Sequence, residues 1–271
     1  MAVVLAAGVG LNAVPAVADI SPLGANIWNC KPSPVRPRPV VLVHGTFDHM
    51  AGAFATLSPR LKARGHCVFA LNYGRVQATG PLQGVGDIAQ SAQQLSDFVD
   101  RVLTATGAAE VDIVGHSQGG MMPRYYLKFL NGADKVHRLI AITPSNHGSS
   151  SNGMVNLARL LGLSPAIALV CRACQQQMVD SDFMKLLNGG GDTVPGVDYT
   201  VIATRYDTVV TPYTSSFLTG DNVTNILLQD RAPLDFSGHF AVNFDLVVHQ
   251  IVLDALEAPP ARTLAASIPA V

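Results

Sequence analysis

The chain has 271 residues, 48% of them hydrophobic and 14% charged, with a formal net charge of -1 at pH 7 and a pI of about 6.7. That length and apolar content suffice for one large core, so a single domain is expected. The balanced charge and the lack of a basic run exclude nucleic acid as a partner, and equally an anionic membrane surface held by charge.

Residues 1–18 are almost all apolar or small and close on Ala16-Val17-Ala18 before Asp19, an A-x-A pattern that predicts an export signal and a secreted, extracellular protein. The stretch lacks a basic start, and Asn12 and Pro15 interrupt it, so it is not read as an integral membrane anchor. Residues 19–39 are predicted as an extended lead-in, because four prolines fall between Lys31 and Pro39. The main domain is expected over 40–258 and a loose tail over 259–271.

Within that domain, short apolar runs at 40–43, 67–71, 111–114, 139–142, 200–204 and 225–228 alternate with segments of helical character. Such alternation predicts an α/β chain: a mostly parallel sheet of about six strands flanked by helices. The clearest helix spans 87–106, with Ile88, Ala92, Leu95, Val99 and Val102 on one face, Gln90, Gln94, Asp97 and Arg101 on the other, and Gly107 ending it. A helix over 119–130 contains Pro123, expected to bend or delay it. A last helix is expected over 240–256 with Phe244, Val247, Val248 and Ile251 buried. Residues 145–191 are far longer than an ordinary crossover and are predicted as a cap or lid insertion, with Gly148 and Gly189 to Gly191 as hinge candidates.

The four cysteines are an even number, as expected of a secreted chain. Cys30 precedes the first strand and Cys67 opens its neighbour, while Cys171 and Cys174 are adjacent in sequence, which predicts the pairs Cys30–Cys67 and Cys171–Cys174. A four-cysteine zinc site is disfavoured because only one C-x-x-C is present, and the scattered aspartates do not argue for calcium. Asn222-Val223-Thr224 matches a glycosylation sequon, a weak signal.

The chemistry concentrates at Val111 to Gly120, where an apolar strand runs into Gly115-His116-Ser117-Gln118-Gly119 and then a helix. The order strand, Gly-x-Ser-x-Gly, helix resembles the nucleophile elbow of the α/β-hydrolase fold. Gly115 and Gly119 would let strand and helix pass closely, Ser117 would be the nucleophile, and the backbone N–H of Gln118 would face a developing oxyanion. In that fold the acid and then the histidine follow the serine. His239, in the loop Phe236-Ser237-Gly238-His239, is the expected base, and Asp207, after the strand at 200–204, the expected acid. His137 and His249 fall on other structural positions, and His147 reads as structural or substrate-facing. Asp230 and Asp235 read as turn or cap residues, and Asp182 and Asp192 lie in the supposed cap. The second oxyanion donor is expected from Thr46, beside Gly45, with His44 bracing that loop.

Taken together, Asn29-Cys30-Lys31-Pro32, Pro39 to Phe47, Gly115 to Tyr126 and Asp207 to Tyr213 resemble the actinobacterial class 2 triacylglycerol lipases, bacterial secreted members of the α/β-hydrolase superfamily. The resemblance extends from about Asn29 to His249. It implies Ser117, Asp207 and His239 as triad, Thr46 and Gln118 as oxyanion hole, and hydrolysis of acylglycerols with medium or long acyl chains at a lipid–water interface with no cofactor; a monomer without a metal is expected beside it. The alternatives are a polyesterase or cutinase-like enzyme with an open groove, a short-chain carboxylesterase, and a non-catalytic α/β-hydrolase-fold binding protein. A non-catalytic protein usually lacks a triad member, whereas every position is filled here.

Overall fold

The run Val40-Val41-Leu42-Val43 has no polar residue, and such a strand is stable only with both of its faces covered. The computed structural model describes residues 20–79, 81–163 and 170–259. The strands are β1 (Val40–Val43), β2 (Val68–Leu71), β3 (Val111–His116), β4 (Val136–Ile142), β5 (Asp198–Ala203) and β6 (Val223–Leu227). They form one sheet of order β2-β1-β3-β4-β5-β6, with every neighbouring pair parallel.

Among the described residues the α-helices are α1 (Met50–Ala53), α2 (Leu57–Ala63), α3 (Ile88–Thr106), α4 (Gln118–Phe129), α5 (Ser151–Leu160), α6 (Arg172–Gln176), α7 (Asp182–Asn188), α8 (Leu228–Arg231) and α9 (Leu246–Glu257). Strand side chains alternate between two apolar layers. Val41, Val43, Phe69 and Ile113 pack with α3 and α4, whereas Val40, Leu42, Val68 and Val114 pack with α1, α2 and α9. Asp87 caps α3 by accepting the Gln90 N–H at 3.1 Å, and all five apolar residues of its expected face are buried.

Four features differ from the sequence reading. β4 begins at Val136, because its polar start is paired within the sheet: His137 meets Asp112 at 3.1 Å and Arg138 approaches Asp198 at 3.8 Å. Pro123 does not delay α4, which starts at Gln118; full burial of Met121, Met122 and Tyr126 outweighs the local penalty. The last helix starts later than expected, at Leu246, after a 3-10 turn over Ala241–Asn243, since Asp245 caps it through the Val247 and Val248 N–H groups at 2.7 and 3.0 Å. That start leaves Phe244 and Val247 exposed, while Val248 and Ile251 are buried as expected and are joined by Val252, Leu253 and Leu256.

The proline-rich lead-in also does structural work. The Asn26 side chain bonds both the N–H and the carbonyl of Ala70 at 2.9 Å, and Ala25 bridges Val68, so the segment covers the outer edge of β2. Trp28 packs on Phe69 and Phe98 with the Arg101 guanidinium 3.7 Å over its ring. The bridge Cys30–Cys67 fastens the same segment, and Cys171–Cys174 closes the first turn of α6. The expected export signal, the tail from residue 260 and residues 164–169 of the expected cap lie outside the described residues.

Candidate active site

Strand order reverses at β1: the chain steps outward to β2, then returns to place β3 on the other side of β1. At such a switch point the loops leaving the two strands diverge and open a crevice at their carboxyl ends. Thr46 follows β1 and Ser117 follows β3, so topology alone brings these two positions to the crevice.

Ser117 adopts φ 56° and ψ -124°, a conformation that costs a side-chain-bearing residue free energy and is held only by its surroundings. The surroundings are backbone. A Cβ on Gly119 would stand 2.0 Å from the Val43 carbonyl oxygen, and one on Gly115 would stand 1.9 Å from the Gly119 carbonyl oxygen. Only glycine fits at either position.

The Ser117 hydroxyl lies 3.0 Å from His239 Nε2, and His239 Nδ1 lies 2.8 Å from Asp207 Oδ2. The other Asp207 oxygen accepts the Val209 and Val210 N–H groups, both at 2.8 Å. A carboxylate bonded in this way directs an acceptor at Nδ1, which places the imidazole proton there and leaves Nε2 able to receive the serine proton. All three side chains are buried.

Two braces around this chain were not read from sequence. His116 Nε2 donates to the His239 carbonyl oxygen at 2.8 Å, and burial, then the neighbouring His239, push its own imidazole down to about 3, so it stays neutral. The Gln229 amide joins the acid and base loops: it donates to Thr204 Oγ1 at 2.9 Å and to the Asp235 carbonyl at 3.0 Å, and accepts the Arg205 N–H at 3.0 Å. Thr204 Oγ1 in turn donates to the Ser237 carbonyl at 2.8 Å. An isolated glutamine and threonine carry no spacing signal, which is why the second brace was not legible, and the variable position of the elbow motif says nothing of where the His116 ring points.

Gly45 brings the β1 loop against the elbow: a Cβ there would meet Ser117 Cβ at 3.0 Å. Among the described residues, the Thr46 and Gln118 backbone N–H groups have no backbone acceptor outside the regular ladders, and Gln118 opens α4, where a helix donates no N–H to itself. Both donors are therefore available to an anion. The Thr46 hydroxyl donates to Gln118 Oε1 at 2.5 Å, and Gln177 Nε2 reaches both oxygens. His44 stacks on Tyr73 with centroids 4.4 Å apart, and the Tyr73 hydroxyl donates to the His44 carbonyl at 2.6 Å, so this residue braces the loop.

The remaining candidates lie elsewhere. His249 is buried against the Asn243 carbonyl at 2.8 Å, and Asp235 turns onto the Ser237 N–H at 2.7 Å. Asp230 is exposed on α8 and Asp182 opens α7. His147 holds Asp192 at 3.0 Å and Asp192 accepts two bonds from Thr219 at 2.8 Å; burial pushes this carboxyl up, but Thr219 and His147 together hold it below the ordinary range. Beside it the buried Arg124, lowered to about 10 by burial, binds the Asp192 and Asn146 carbonyls at 3.0 and 2.9 Å. Lys128 gathers the Leu187, Gly189 and Gly191 carbonyls at 2.6, 2.9 and 2.8 Å. The expected hinge at Gly189 to Gly191 is thus pinned to α4.

Comparison with known proteins fits this geometry. Residues 37–252 match the family described as Lipase (class 2). Two triacylglycerol lipases, from Pseudarthrobacter phenanthrenivorans and Burkholderia plantarii, are each 35% identical over 92 residues; these matches cover 32% of this chain and only 27% and 24% of those proteins. Aspergillus fumigatus lipase B superposes with a TM-score of 0.70 at 21% identity, covering 89% of this chain and 56% of its own. Bacillus licheniformis lipase BlEst2 in mature form gives 0.57 at 18% identity, covering 83% and 91%. These structures share the α/β-hydrolase fold with the parallel sheet described above. With its family match running from the lead-in to the last helix, the chain belongs to the class 2 lipases.

Proposed function

We propose that the chain is a secreted serine lipase that hydrolyses acylglycerol esters through an acyl-enzyme on Ser117. The observation that carries this reading is one hydrogen-bonded line, Ser117 to His239 to Asp207 at 3.0 and 2.8 Å, beside two uncommitted N–H groups at Thr46 and Gln118. His239 Nε2 takes the hydroxyl proton as Ser117 Oγ bonds to the ester carbonyl carbon. The carbonyl π electrons move to oxygen, and the anion sits on the Thr46 and Gln118 N–H groups. Collapse expels the alkoxide, which leaves with the proton held by His239. Water then repeats the sequence on the acyl-enzyme and releases the carboxylic acid and the free serine. Asp207 stabilises the imidazolium in both halves.

The two curated relatives named as triacylglycerol lipases support acylglycerols as the substrate class. Two disulfides support an oxidising, extracellular setting. Among the described residues no helix is long and apolar enough to cross a membrane. The test is hydrolysis of triglycerides from short to long acyl chains, each taken from below to above its solubility limit, with Ser117→Ala as control. A rate that jumps above the limit, most for long chains, and vanishes in Ser117→Ala is expected. Simple saturation on short dissolved esters alone would make the enzyme a carboxylesterase, and turnover surviving in Ser117→Ala would end the proposal.

A further inference from the structure

Thr46, Gln118, Gln177 and Ser145 form a closed polar cluster in which each residue is at most 2% exposed. Three acceptors surround the Gln177 amide nitrogen: Thr46 Oγ1 at 2.9 Å, Gln118 Oε1 at 3.1 Å and the Ala173 carbonyl at 3.2 Å. The main-chain carbonyl can only accept, which fixes this end of the amide as the donor, and Ser145 Oγ–H occupies Gln177 Oε1 at 2.8 Å. One amide proton goes to Ala173 and the other is shared between Thr46 and Gln118. The Thr46 hydroxyl proton itself points at Gln118 Oε1, at 2.5 Å.

In this resting arrangement the hydroxyl faces a glutamine instead of the substrate. To turn toward an oxyanion it must abandon Gln118 Oε1 inside a dry site, which is unfavourable unless another donor takes its place. Gln177 is already within reach of that oxygen and of the hydroxyl oxygen about which the proton turns. We propose that Gln177 is a positioning residue: it takes over Gln118 Oε1 as the Thr46 hydroxyl rotates to the developing oxyanion, making that hydroxyl a third donor in the transition state. No bond other than hydrogen bonds changes in this step. Gln177 is itself held at the end of α6, by its N–H to the Ala173 carbonyl at 2.9 Å, and its carbonyl accepts the Ser149 N–H at 2.8 Å. The Cys171–Cys174 bridge clips the start of the same helix, so the segment expected to cap the site helps hold its oxyanion loop.

The inference rests on the serine-esterase reading and is tested separately from it with Gln177→Met, Thr46→Val and the double variant on a dissolved p-nitrophenyl ester. Gln177→Met is expected to lower kcat about tenfold with KM changed less than about twofold, because an interaction made only in the transition state is lost. Thr46→Val keeps its backbone N–H and is expected to lose at least as much. The double variant should match Thr46→Val alone, since Gln177 acts through that hydroxyl. Losses that multiply, or a Gln177→Met effect confined to KM or absent, overturn the inference. If Gln177→Met does not fold, Ser145→Ala releases the same amide and faces the same criterion against Thr46→Val. Turnover retained in Ser117→Ala would instead overturn the esterase reading itself.

Discussion

Replacing Asp207 by asparagine changes one atom and reverses a tautomer. The Oδ1 position of Asp207 receives two backbone N–H groups, from Val209 and Val210, so an amide there must place its carbonyl oxygen at that point. Its NH2 then faces His239 Nδ1, where the carboxylate stood at 2.8 Å. Nδ1 must become an acceptor, the ring proton moves to Nε2, and the atom that should take the Ser117 proton is already protonated. The loop keeps both backbone bonds, so folding is preserved while kcat falls about ten-thousandfold, about 5 kcal/mol in activation free energy. The assay is ester turnover normalised to serine sites titrated with a phosphonate, with thermal unfolding as the control. An Asp207→Asn variant that keeps more than about a hundredth of normal turnover would refute the forced-orientation argument. The same follows if Asp230→Asn or Asp235→Asn, whose side chains lie outside the line, produced the loss instead.

Gly119→Ala puts a methyl group 2.0 Å from the Val43 carbonyl oxygen, inside the sheet, and is expected to cost more than about 3 kcal/mol; a urea midpoint near that of the parent would contradict the elbow geometry. His116 is buried neutral, at about 3 against an ordinary 6.5, and burial lowers His66 and His249 in the same direction. Between those two values the unfolded chain binds more protons, so stability is full above about pH 6.5 and declines below it, by roughly 3 kcal/mol at pH 4 from His116 alone. Urea titrations across this range should show the decline, and His116→Gln should flatten it; an equal slope in the variant would count against a buried neutral imidazole. Lys128→Met removes the ammonium from three carbonyls, and faster hydrogen exchange confined to residues 187–191 is expected, with unchanged exchange there showing that the corner holds without it.

What was legible in the sequence is what has a period or a fixed order. Apolar runs marked all six strands, but only β1 and β2 are apolar throughout, as a doubly covered parallel strand must be, whereas the edge strand β6 exposes Thr224 and Asn225. Ser117, Asp207 and His239 could be nominated together because the fold fixes their order along the chain and the elbow fixes two glycines around the serine, and the three side chains lie in one hydrogen-bonded line. The start of β4 was illegible because His137 and Arg138 look like loop residues until Asp112 and Asp198 are placed beside them. The start of the last helix was placed six residues early because Phe244 fits the helical period, while the capping power of Asp245 is a local competition the period does not register. Gln177 stands in a run of three glutamines, and nothing in the chain says which of them will point at Thr46.

The braces around the candidate site divide into two groups with no residue in common. Thr204, Gln229 and His116 hold the loops carrying Asp207 and His239, on the far side of β3 from β1. Ser145 and Gln177 hold Thr46 and Gln118, and they do so from the long insertion between β4 and β5. In the proposed mechanism the first group sets which proton moves and the second sets where negative charge is received. Side chains that share no partner make nearly additive contributions, so damage to one brace and damage to the other should multiply in rate, whereas two lesions within one brace should not. This division also gives a physical reason for tying an insertion to the core at the oxyanion loop. The loops of Asp207 and His239 are tied to each other by Gln229 and Thr204 and to the end of β3 by His116, whereas the anion's donors lie on a loop and a helix start that the buried Gln177 amide, from the insertion, holds together.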